Sequence, residues 1–331
     1  MRTRRRALLI ALVAAVAATA AYPACAQQVS KVWRVGFIVG SQRPASIAAY
    51  ANGSAFVQGM RDLGYIEGKN LRIEWRFAGA DPVAVAQQAA ELVKLNVDVI
   101  VCAGTRATTE VQKATRTIPI VAATVGDALT TGVASSLARP GANLTGLTSL
   151  SVDLSQKQLE LVHAVVPRLA RIAVLVNPQN PAHKTSLQRL ASAARKGGIA
   201  VVPIEARTGA DLPQLIAAAA RGVGLIVSRD PYFNERVPAI AAAATSHRLV
   251  SIGGLPTYAE AGGLLSYGTD ATWHFRRAAI YVDKILKGAK PGDLPIERPT
   301  KFELVLNLKT AKALGVAIPQ PVLLQATRLF E

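Results

Sequence analysis

Small polar and charged residues follow several apolar runs of the sequence, at the points where predicted strands end. In open parallel sheets, ligands bind beyond the carboxyl ends of the strands. Each of these segments combines small residues, which allow close backbone approach, with one or two hydrogen-bonding side chains. The pattern predicts a binding rim whose candidate residues are Ser41, Arg43, Gly104, Thr105, Arg106, Thr124, Asp127, Asn177, Asn180, Asp230 and Tyr232.

The charged candidates suit two kinds of ligand group. Arg43 and Arg106 could bind a carboxylate, although single exposed arginines are common on protein surfaces. Asp127 and Asp230 follow apolar runs, so an amino group could be their partner, but either could instead cap the next helix. A helix that begins at Thr105 would also direct free N–H groups at an anion. The sequence leaves these alternatives open.

Two further candidates, Ser266 and Tyr267, lie in the segment 262–268, a predicted strand flanked by glycines. Tyr267 and Tyr232 could stack on a ring of the ligand, or they could serve in packing or in a hinge. The segment comes close to the G-x-S-x-G nucleophile motif but lacks its first glycine.

The sequence lacks the common enzyme motifs. It contains no G-x-S-x-G, no G-x-G-x-x-G and no Walker A lysine loop. The four histidines are predicted on helical surfaces, without an H-E-x-x-H pattern. The sequence therefore predicts a protein that is not an enzyme and that holds no cofactor and no metal ion. Those histidines are His163, His183, His247 and His274.

The order of elements predicts an α/β fold. Short β-branched runs alternate with alanine-rich amphipathic segments, and this alternation indicates parallel sheets covered on both faces. The series stops and restarts, which predicts two Rossmann-like lobes with parallel sheets. The segment 140–146, rich in Gly and Asn, is the predicted crossover between them.

The C-terminal tail is predicted to return to the first lobe, so that a multi-strand hinge joins the two. The predicted N-terminal lobe comprises residues 30–143 and about 269–298. The predicted C-terminal lobe comprises residues 144–268 and about 299–331. Such a hinge would let the lobes close on a small molecule.

The first residues predict export to the periplasm. Arginines at positions 2, 4, 5 and 6, an apolar run over 7–21 and the Ala24-Cys25-Ala26 pattern indicate a signal peptide over residues 1–26. The apolar run is short for a transmembrane span. A lipoprotein anchor on Cys25 is the alternative. Cys102 would then be the single cysteine left, as a small buried hydrophobe.

The charge pattern bears on partners. The formal net charge is +17, with the basic residues spread along the chain and an aromatic content of 5%. Because no Lys/Arg run with interleaved aromatics occurs, nucleic acid is not a predicted partner. A preference for anionic ligands follows from the charge. We expect a monomer that binds a small molecule.

Segments in order along the chain carry a family resemblance. They are RDLGYIEGKNL (61–71), VDVIV (97–101), SLARPGANLTG (136–146), NPQNP (177–181), EAGGLLSYG (260–268), YVDKILKGAKP (281–291) and PTKFELVLN (299–307). With them the chain resembles the ABC-transporter substrate-binding family that includes the tryptophan/tyrosine-type periplasmic components, with the type I periplasmic-binding fold.

The resemblance implies a cleft between the lobes, with ligand contacts from the rim segments. It also implies the periplasmic solute-binding component of an ABC importer, whose partners are an inner-membrane permease and its ATPase. The family usually has proline at the position of Arg106, and proline after the aspartate where this chain has Ala128. Both departures lie on the predicted rim, so the ligand, an amino acid or an aromatic or other small carboxylate, is not inherited from the family.

Two other functions remain open from the sequence. A sensor protein that presents its ligand to a membrane receptor would use the same fold and cleft, and a neighbouring permease and ATPase gene would favour transport. An exported α/β enzyme would need a nucleophile–base pair or a metal cluster, and the sequence shows no signature of either.

Overall fold

The computed structural model describes residues 31–79, 81–219 and 224–331. The predicted signal peptide and its Cys25 lie outside the described residues. From Trp33 to Glu331 the chain forms one compact unit. Within the described ranges, no helix is both long enough and apolar enough to cross a lipid bilayer.

The strands in the described ranges fall into two sheets. In chain order they are β1 Trp33–Val39, β2 Leu71–Phe77, β3 Val99–Ala103, β4 Ile120–Val125, β5 Leu144–Thr148, β6 Arg171–Val176, β7 Ala200–Glu205, β8 Gly224–Val227, β9 Val250–Gly253, β10 Leu265–Gly268, β11 Ile296–Glu297, β12 Glu303–Asn307 and β13 Arg328–Phe330. The first sheet has the order β11-β5-β4-β3-β1-β2, and the second has the order β13-β12-β10-β9-β8-β6-β7. The pairs are parallel, except that β12 runs antiparallel to β10.

The helices in the same ranges mostly connect successive strands. They are α1 Ala51–Asp62, α2 Pro82–Lys94, α3 Thr105–Ala114, α4 Ser151–Val165, α5 Pro181–Lys196, α6 Leu212–Ala219, α7 Pro231–Asn234, α8 Val237–Ser246, α9 Pro256–Glu260, α10 Ala271–Leu286, α11 Leu308–Leu314 and α12 Gln320–Leu323. Local sequence explains where several begin. Asp81 caps α2 by accepting from the Val83 amide at 3.0 Å, and Asp270 caps α10 by accepting from the Thr272 amide at 2.8 Å.

Helices cover both faces of the first sheet, as its buried strands require. The alternation of β1 sends Phe37 towards α1 and α10, and Ile38 towards α2 and α3. A Cβ atom added at Gly59 would lie 2.9 Å from the Cβ of Ala279, so α1 and α10 pack closely. Cys102 is fully buried in β3, as predicted, and burial raises the pKa of its thiol.

Three crossings connect the two sheets, between β5 and α4, between β10 and α10, and between β11 and β12. We call the first sheet with α1–α3 and α10 the first lobe, and the second sheet with the remaining helices the second lobe. The predicted crossover at 140–146 and the predicted boundary at 143/144 differ from this arrangement, because β5 pairs with β4 and β11. The first crossing therefore follows Thr148, and the other lobe limits stay predictions.

Residues 47–62 do not form one continuous helix. A 3₁₀ turn covers Ile47–Ala49, Tyr50 has extended backbone angles, and α1 begins at Ala51. Side chains hold the break, because Ser46 caps the turn and Ser54 Oγ donates to the Ile47 carbonyl at 2.9 Å. The break carries the Tyr50 side chain into the wall of the cavity described next.

Candidate functional site

A cavity of about 680 Å³ lies between the two lobes. In each sheet the strand order reverses at one place, because β1 lies between β2 and β3, and β6 lies between β7 and β8. Ligands of open α/β sheets bind at such a switch point, beyond the carboxyl ends of the strands. The segments that follow β1, β3, β6 and β8 all contribute to the wall, so the two switch points share one cavity.

Most of the candidate residues from the sequence belong to this wall. They come from both lobes, which is the arrangement that a ligand clasped between lobes requires. Their direct contact with a ligand stays a prediction. The candidates that line the cavity are Ser41, Arg43, Gly104, Thr105, Arg106, Thr124, Asn177, Asn180 and Asp230.

Asp127 does not line the cavity, and its contact with a ligand stays a prediction. Its Oδ1 accepts hydrogen bonds from the amides of Leu129 and Thr130, at 3.1 and 3.2 Å. Its Oδ2 lies 3.9 Å from the guanidinium of Arg189, which belongs to α5 of the second lobe. The carboxylate therefore caps a turn between β4 and β5, where no helix forms, and it also lies beside the second lobe.

The two tyrosines and Ser266 also lie away from the cavity. Tyr232 is buried and donates from its hydroxyl to the Ala210 carbonyl at 2.9 Å, so it serves in packing. Tyr267 stacks on Phe302, with ring centroids 6.0 Å apart. Ser266 lies inside β10, paired with strands on both sides rather than at a strand end.

Asp230 is the centre of a buried polar network in the second lobe. Its carboxylate accepts from Asn177 Nδ2 at 3.3 Å, from Asn180 Nδ2 at 2.9 Å and from the Tyr232 amide at 3.0 Å. His183 supports the same network. Its Nδ1 accepts from the Asn177 amide at 2.8 Å, so its Nε2 carries the proton and donates to the Arg229 carbonyl at 3.0 Å. The network fixes the rim segments that follow β6 and β8.

The start of α3 forms the facing rim in the first lobe. Gly104 directly precedes α3 and has a φ of 100°, a backbone conformation that would be strained for any residue with a side chain. Thr105 Oγ1 accepts from the Gly126 amide at 2.9 Å and so ties α3 to the segment after β4. The guanidinium of Arg106 is partly buried, and burial lowers its pKa. Its Nη2 atom is buried without a hydrogen-bond partner among the described residues.

Arg229 is the main cavity residue that the sequence interpretation missed. Its Nη1 donates to Thr269 Oγ1 at 2.9 Å, and burial lowers its pKa to about 10. The aliphatic part of the Arg229 side chain packs against Gly254, where an added Cβ atom would lie 2.3 Å from Arg229 Cγ. Its place directly after β8, beside the candidate Asp230, was the signal that could have identified it.

An aromatic surface closes part of the cavity on the side of the first lobe. Tyr50 and Phe275 line it, and both contact Phe37, at centroid distances of 6.5 and 5.9 Å. The guanidinium of Arg43 lies 5.8 Å from the ring of Phe77, which also contacts Tyr50. The sequence does not mark Tyr50 or Phe275 as cavity residues, because neither follows an apolar run that predicts a strand.

The lobes meet at the mouth of the cavity. The amide of Gln42, after β1, donates a hydrogen bond to the carboxylate of Glu235, which precedes α8. Glu235 also pairs with Arg236 at 3.1 Å, and the Arg236 guanidinium lies 4.0 Å from the ring centroid of Tyr232. The Gln42–Glu235 contact and the Asp127–Arg189 pair both connect the two lobes.

Two histidines differ from the prediction that all four lie on helical surfaces. His183 and His274 are buried, whereas His163 and His247 are exposed. Polar backbone and side-chain partners explain the burial, as described for His183 above. Among the described residues, no cluster of three or more His, Cys, Asp or Glu side chains is arranged to hold a metal ion.

Comparisons with known proteins agree with this geometry. The family described as ABC transporter substrate binding protein matches residues 43–330. A relative named "Tyrosine-binding protein", from Clostridioides difficile (strain R20291), is 27% identical over 263 residues, which are 79% of this chain and 75% of that protein.

Solved structures show the same fold. A conserved domain protein from Vibrio cholerae O1 biovar El Tor str. N16961 has a TM-score of 0.84 and 30% identity, over 90% of this chain and 100% of that one. The ABC domain in complex with L-Trp from Streptococcus pneumoniae has a TM-score of 0.81 and 23% identity, over 90% of this chain and 99% of that one.

The two-lobed α/β architecture is therefore the type I periplasmic-binding fold. Proteins of the matched family bind small molecules, work with an ABC permease and are typically extracytoplasmic. They are substrate-binding proteins and not enzymes. Because the match extends over most of its length, this chain belongs to the ABC transporter substrate-binding protein family.

Proposed function

We propose that this protein captures a small molecule in the cavity between its lobes and delivers it to an ABC importer. The observation that carries the proposal is that both topological switch points open into one cavity. A ligand that touches both rims interacts better with the closed form than with the open form, and so favours closure. The closed form would then dock on an inner-membrane permease that works with its ATPase.

The proposed ligand is an amino acid or an aromatic or other small carboxylate. Arginine side chains on the wall suit a carboxylate, and the Tyr50 and Phe275 rings suit an aromatic group. The named ligands of the relatives, tyrosine and L-Trp, belong to the same range of size. We further propose that the protein is exported to the periplasm, acts as a monomer and catalyses no reaction.

A thermal-shift screen of the protein without its predicted signal peptide tests capture. The compounds are the common amino acids and a set of aromatic and aliphatic carboxylates. A compound at 100 times its Kd would stabilise the native form by about 2.7 kcal/mol, which raises the Tm by several degrees. No rise with any compound would contradict the proposal.

Two neighbouring substitutions locate the site. Ala49 lines the cavity, whereas Ala48 is exposed in the same 3₁₀ turn and does not line it. Ala49→Trp is expected to abolish the rise in Tm, because the new ring would occupy the cavity. Ala48→Trp is expected to keep it. Equal shifts in both variants would place the ligand elsewhere.

A further inference from the structure

The carboxylates on the cavity wall are already bonded within the protein. Asp230 accepts three hydrogen bonds and is 3% exposed. Glu235 accepts from the Gln42 amide and pairs with Arg236. A carboxylate offers about four acceptor positions, so these two groups have few left for a ligand.

The amide oxygens beside Asp230 are engaged as well. Asn177 Oδ1 accepts from the Gln179 amide at 3.0 Å, and Asn180 Oδ1 accepts from the Ala182 amide at 3.1 Å. An ammonium group carries three donors and no acceptor, and it needs oxygen partners that are free. The second-lobe rim therefore offers an ammonium little beyond bonds that the protein already uses.

Two of the four arginines on the cavity wall, Arg106 and Arg229, are not bonded to a carboxylate. Arg106 Nη2 is buried without a hydrogen-bond partner, and the Arg229 guanidinium donates to the neutral hydroxyl of Thr269. Within residues 31–79, 81–219 and 224–331, no carboxylate oxygen lies within 4.0 Å of either guanidinium, although Asp230 acts on Arg106 and Asp270 acts on Arg229 from farther away. A partly buried guanidinium with an unpartnered N–H group is costly, and an anionic ligand would offset that cost.

The chemistry of the ligand follows from this difference between the carboxylates, which are bonded within the protein, and the two guanidinium groups, which have no carboxylate partner. A carboxylate accepts two parallel hydrogen bonds from one guanidinium, which are stronger than bonds between neutral groups. The Tyr50 and Phe275 rings, with Val85 and Leu255, give the same cavity an apolar wall for a ring. An aromatic monocarboxylate satisfies both features, and an α-amino group satisfies neither.

We propose that the cavity recognises an aromatic carboxylate through its arginines and does not require an α-amino group. Arylalkanoates such as 3-phenylpropanoate are then ligands of this protein. This inference rests on the proposed capture of a small molecule, and it narrows the class of that molecule.

Matched pairs of compounds test the inference by isothermal titration calorimetry. The pairs are 3-phenylpropanoate with L-phenylalanine, 3-(4-hydroxyphenyl)propanoate with L-tyrosine, and indole-3-propanoate with L-tryptophan. In at least one pair the acid is expected to bind as tightly as the amino acid or more tightly. The neutral 3-phenylpropanamide is expected to bind at least about tenfold more weakly than its acid, because it lacks the charge that strengthens hydrogen bonds to arginine.

A substitution pair assigns the effect to the cavity. Arg106→Gln removes a guanidinium with an unpartnered nitrogen, and it is expected to weaken binding of the acid at least about tenfold. Arg116→Gln removes an exposed arginine that does not line the cavity, and it is expected to leave the affinity unchanged. Unfolding in urea verifies that both variants are folded.

The outcomes separate this inference from the proposed function. Binding of the amino acids about tenfold tighter than the acids in every pair would overturn the inference and leave capture of a small molecule in place. An unchanged affinity in Arg106→Gln would overturn the role of that arginine. Binding of none of these compounds, together with no hit in the wider thermal-shift screen, would overturn the proposed function itself.

Discussion

At the scale of single residues, His274 is a buried ionisable group at the place where the lobes join. His274 is fully buried on α10, with Nδ1 2.9 Å from the Asp270 carbonyl and Nε2 3.4 Å from the Thr148 carbonyl. Both carbonyls belong to crossings between the sheets. Burial lowers the pKa of His274 to about 4, and the positive charge of Arg229 acts in the same direction, whereas the contacts with the Asp270 and Thr148 carbonyls and the charge of Asp270 oppose the shift. The neutral imidazole is therefore part of the native hinge.

This lowered pKa predicts that the protein loses stability in mild acid. The unfolded chain takes up a proton on this histidine below the ordinary histidine pKa of 6.5, whereas the native form resists it down to about 4. Because the unfolded state binds more protons between these values, the free energy of unfolding falls as the pH falls through this window. Between pH 7 and pH 5 the contribution of His274 is about 2 kcal/mol.

Urea unfolding at pH 7 and pH 5 measures the effect. His274→Gln should be less stable than the parent at pH 7 but should lose about 2 kcal/mol less on acidification. His163→Gln, at an exposed position, should change the stability at pH 7 little. Parallel pH profiles for the parent and His274→Gln would contradict the assignment.

At the scale of elements, β5 shows how a local sequence and its tertiary setting can disagree. Gly and Asn predict a loop over 140–146, but Leu144–Thr148 is a buried strand between β4 and β11. At Gly146, φ is 136° and an added Cβ would lie 2.1 Å from the Ala122 carbonyl oxygen. The glycine therefore serves the close approach of two strands and not a turn.

Gly146→Ala is expected to destabilise the first lobe by more than about 3 kcal/mol, because the methyl group meets backbone atoms and the φ angle is also strained. Gly132 provides the comparison, since its φ of 71° is also positive but no atom lies within 4 Å of an added Cβ. Gly132→Ala should cost about 1–2 kcal/mol. The measurement is chemical denaturation of both variants, and equal losses would contradict the crowding at Gly146.

The sequence predicts the helices and strands whose signals lie in neighbouring residues. The alternation in β2, the apolar run of β3 and the capping residues Asp81 and Asp270 are visible in the sequence itself, because each depends on neighbouring residues. The cavity position of Tyr50 is not visible in this way, because it depends on a broken helix. Cavity residues that follow strands are easier to identify from the sequence than cavity residues inside helices, because the carboxyl ends of parallel strands lie at the same edge of a sheet.

The capping alternatives show the limit of sequence in choosing a site. Asp127 and Asp230 have the same local pattern, a carboxylate after an apolar strand, and each accepts a hydrogen bond from an amide two residues ahead. Only their surroundings differ, because Asp230 lies at the switch point of its sheet and Asp127 follows β4, one strand beyond β3. Strand order decides which of them reaches the cavity, and a single sequence does not specify strand order.

At the scale of the whole molecule, the two lobes repeat one topology. The orders β2-β1-β3-β4-β5 and β7-β6-β8-β9-β10 are equivalent, so each lobe presents the same kind of edge to the cavity. Three crossings connect the lobes, which restricts their motion to opening and closing about the hinge. Contacts between the lobes at the mouth therefore bear directly on the balance between the two forms.

The Gln42–Glu235 contact should stabilise the closed form. A charge-assisted hydrogen bond contributes about 1.5 kcal/mol, so Glu235→Ala should shift the equilibrium towards the open form by roughly tenfold. Small-angle X-ray scattering of the ligand-free protein should then give a larger radius of gyration for this variant than for the parent. Glu260→Ala is the control, because Glu260 pairs with Arg328 inside the second lobe.

The same shift towards the open form should also weaken ligand binding. If only the closed form completes the cavity, the apparent Kd rises in proportion as the closed population falls. Glu235→Ala should therefore weaken binding of any compound found in the thermal-shift screen by up to about tenfold, and it should do so for every bound compound alike. A loss confined to one compound would indicate direct contact with Glu235, and scattering identical to the parent would show that this contact does not hold the lobes together.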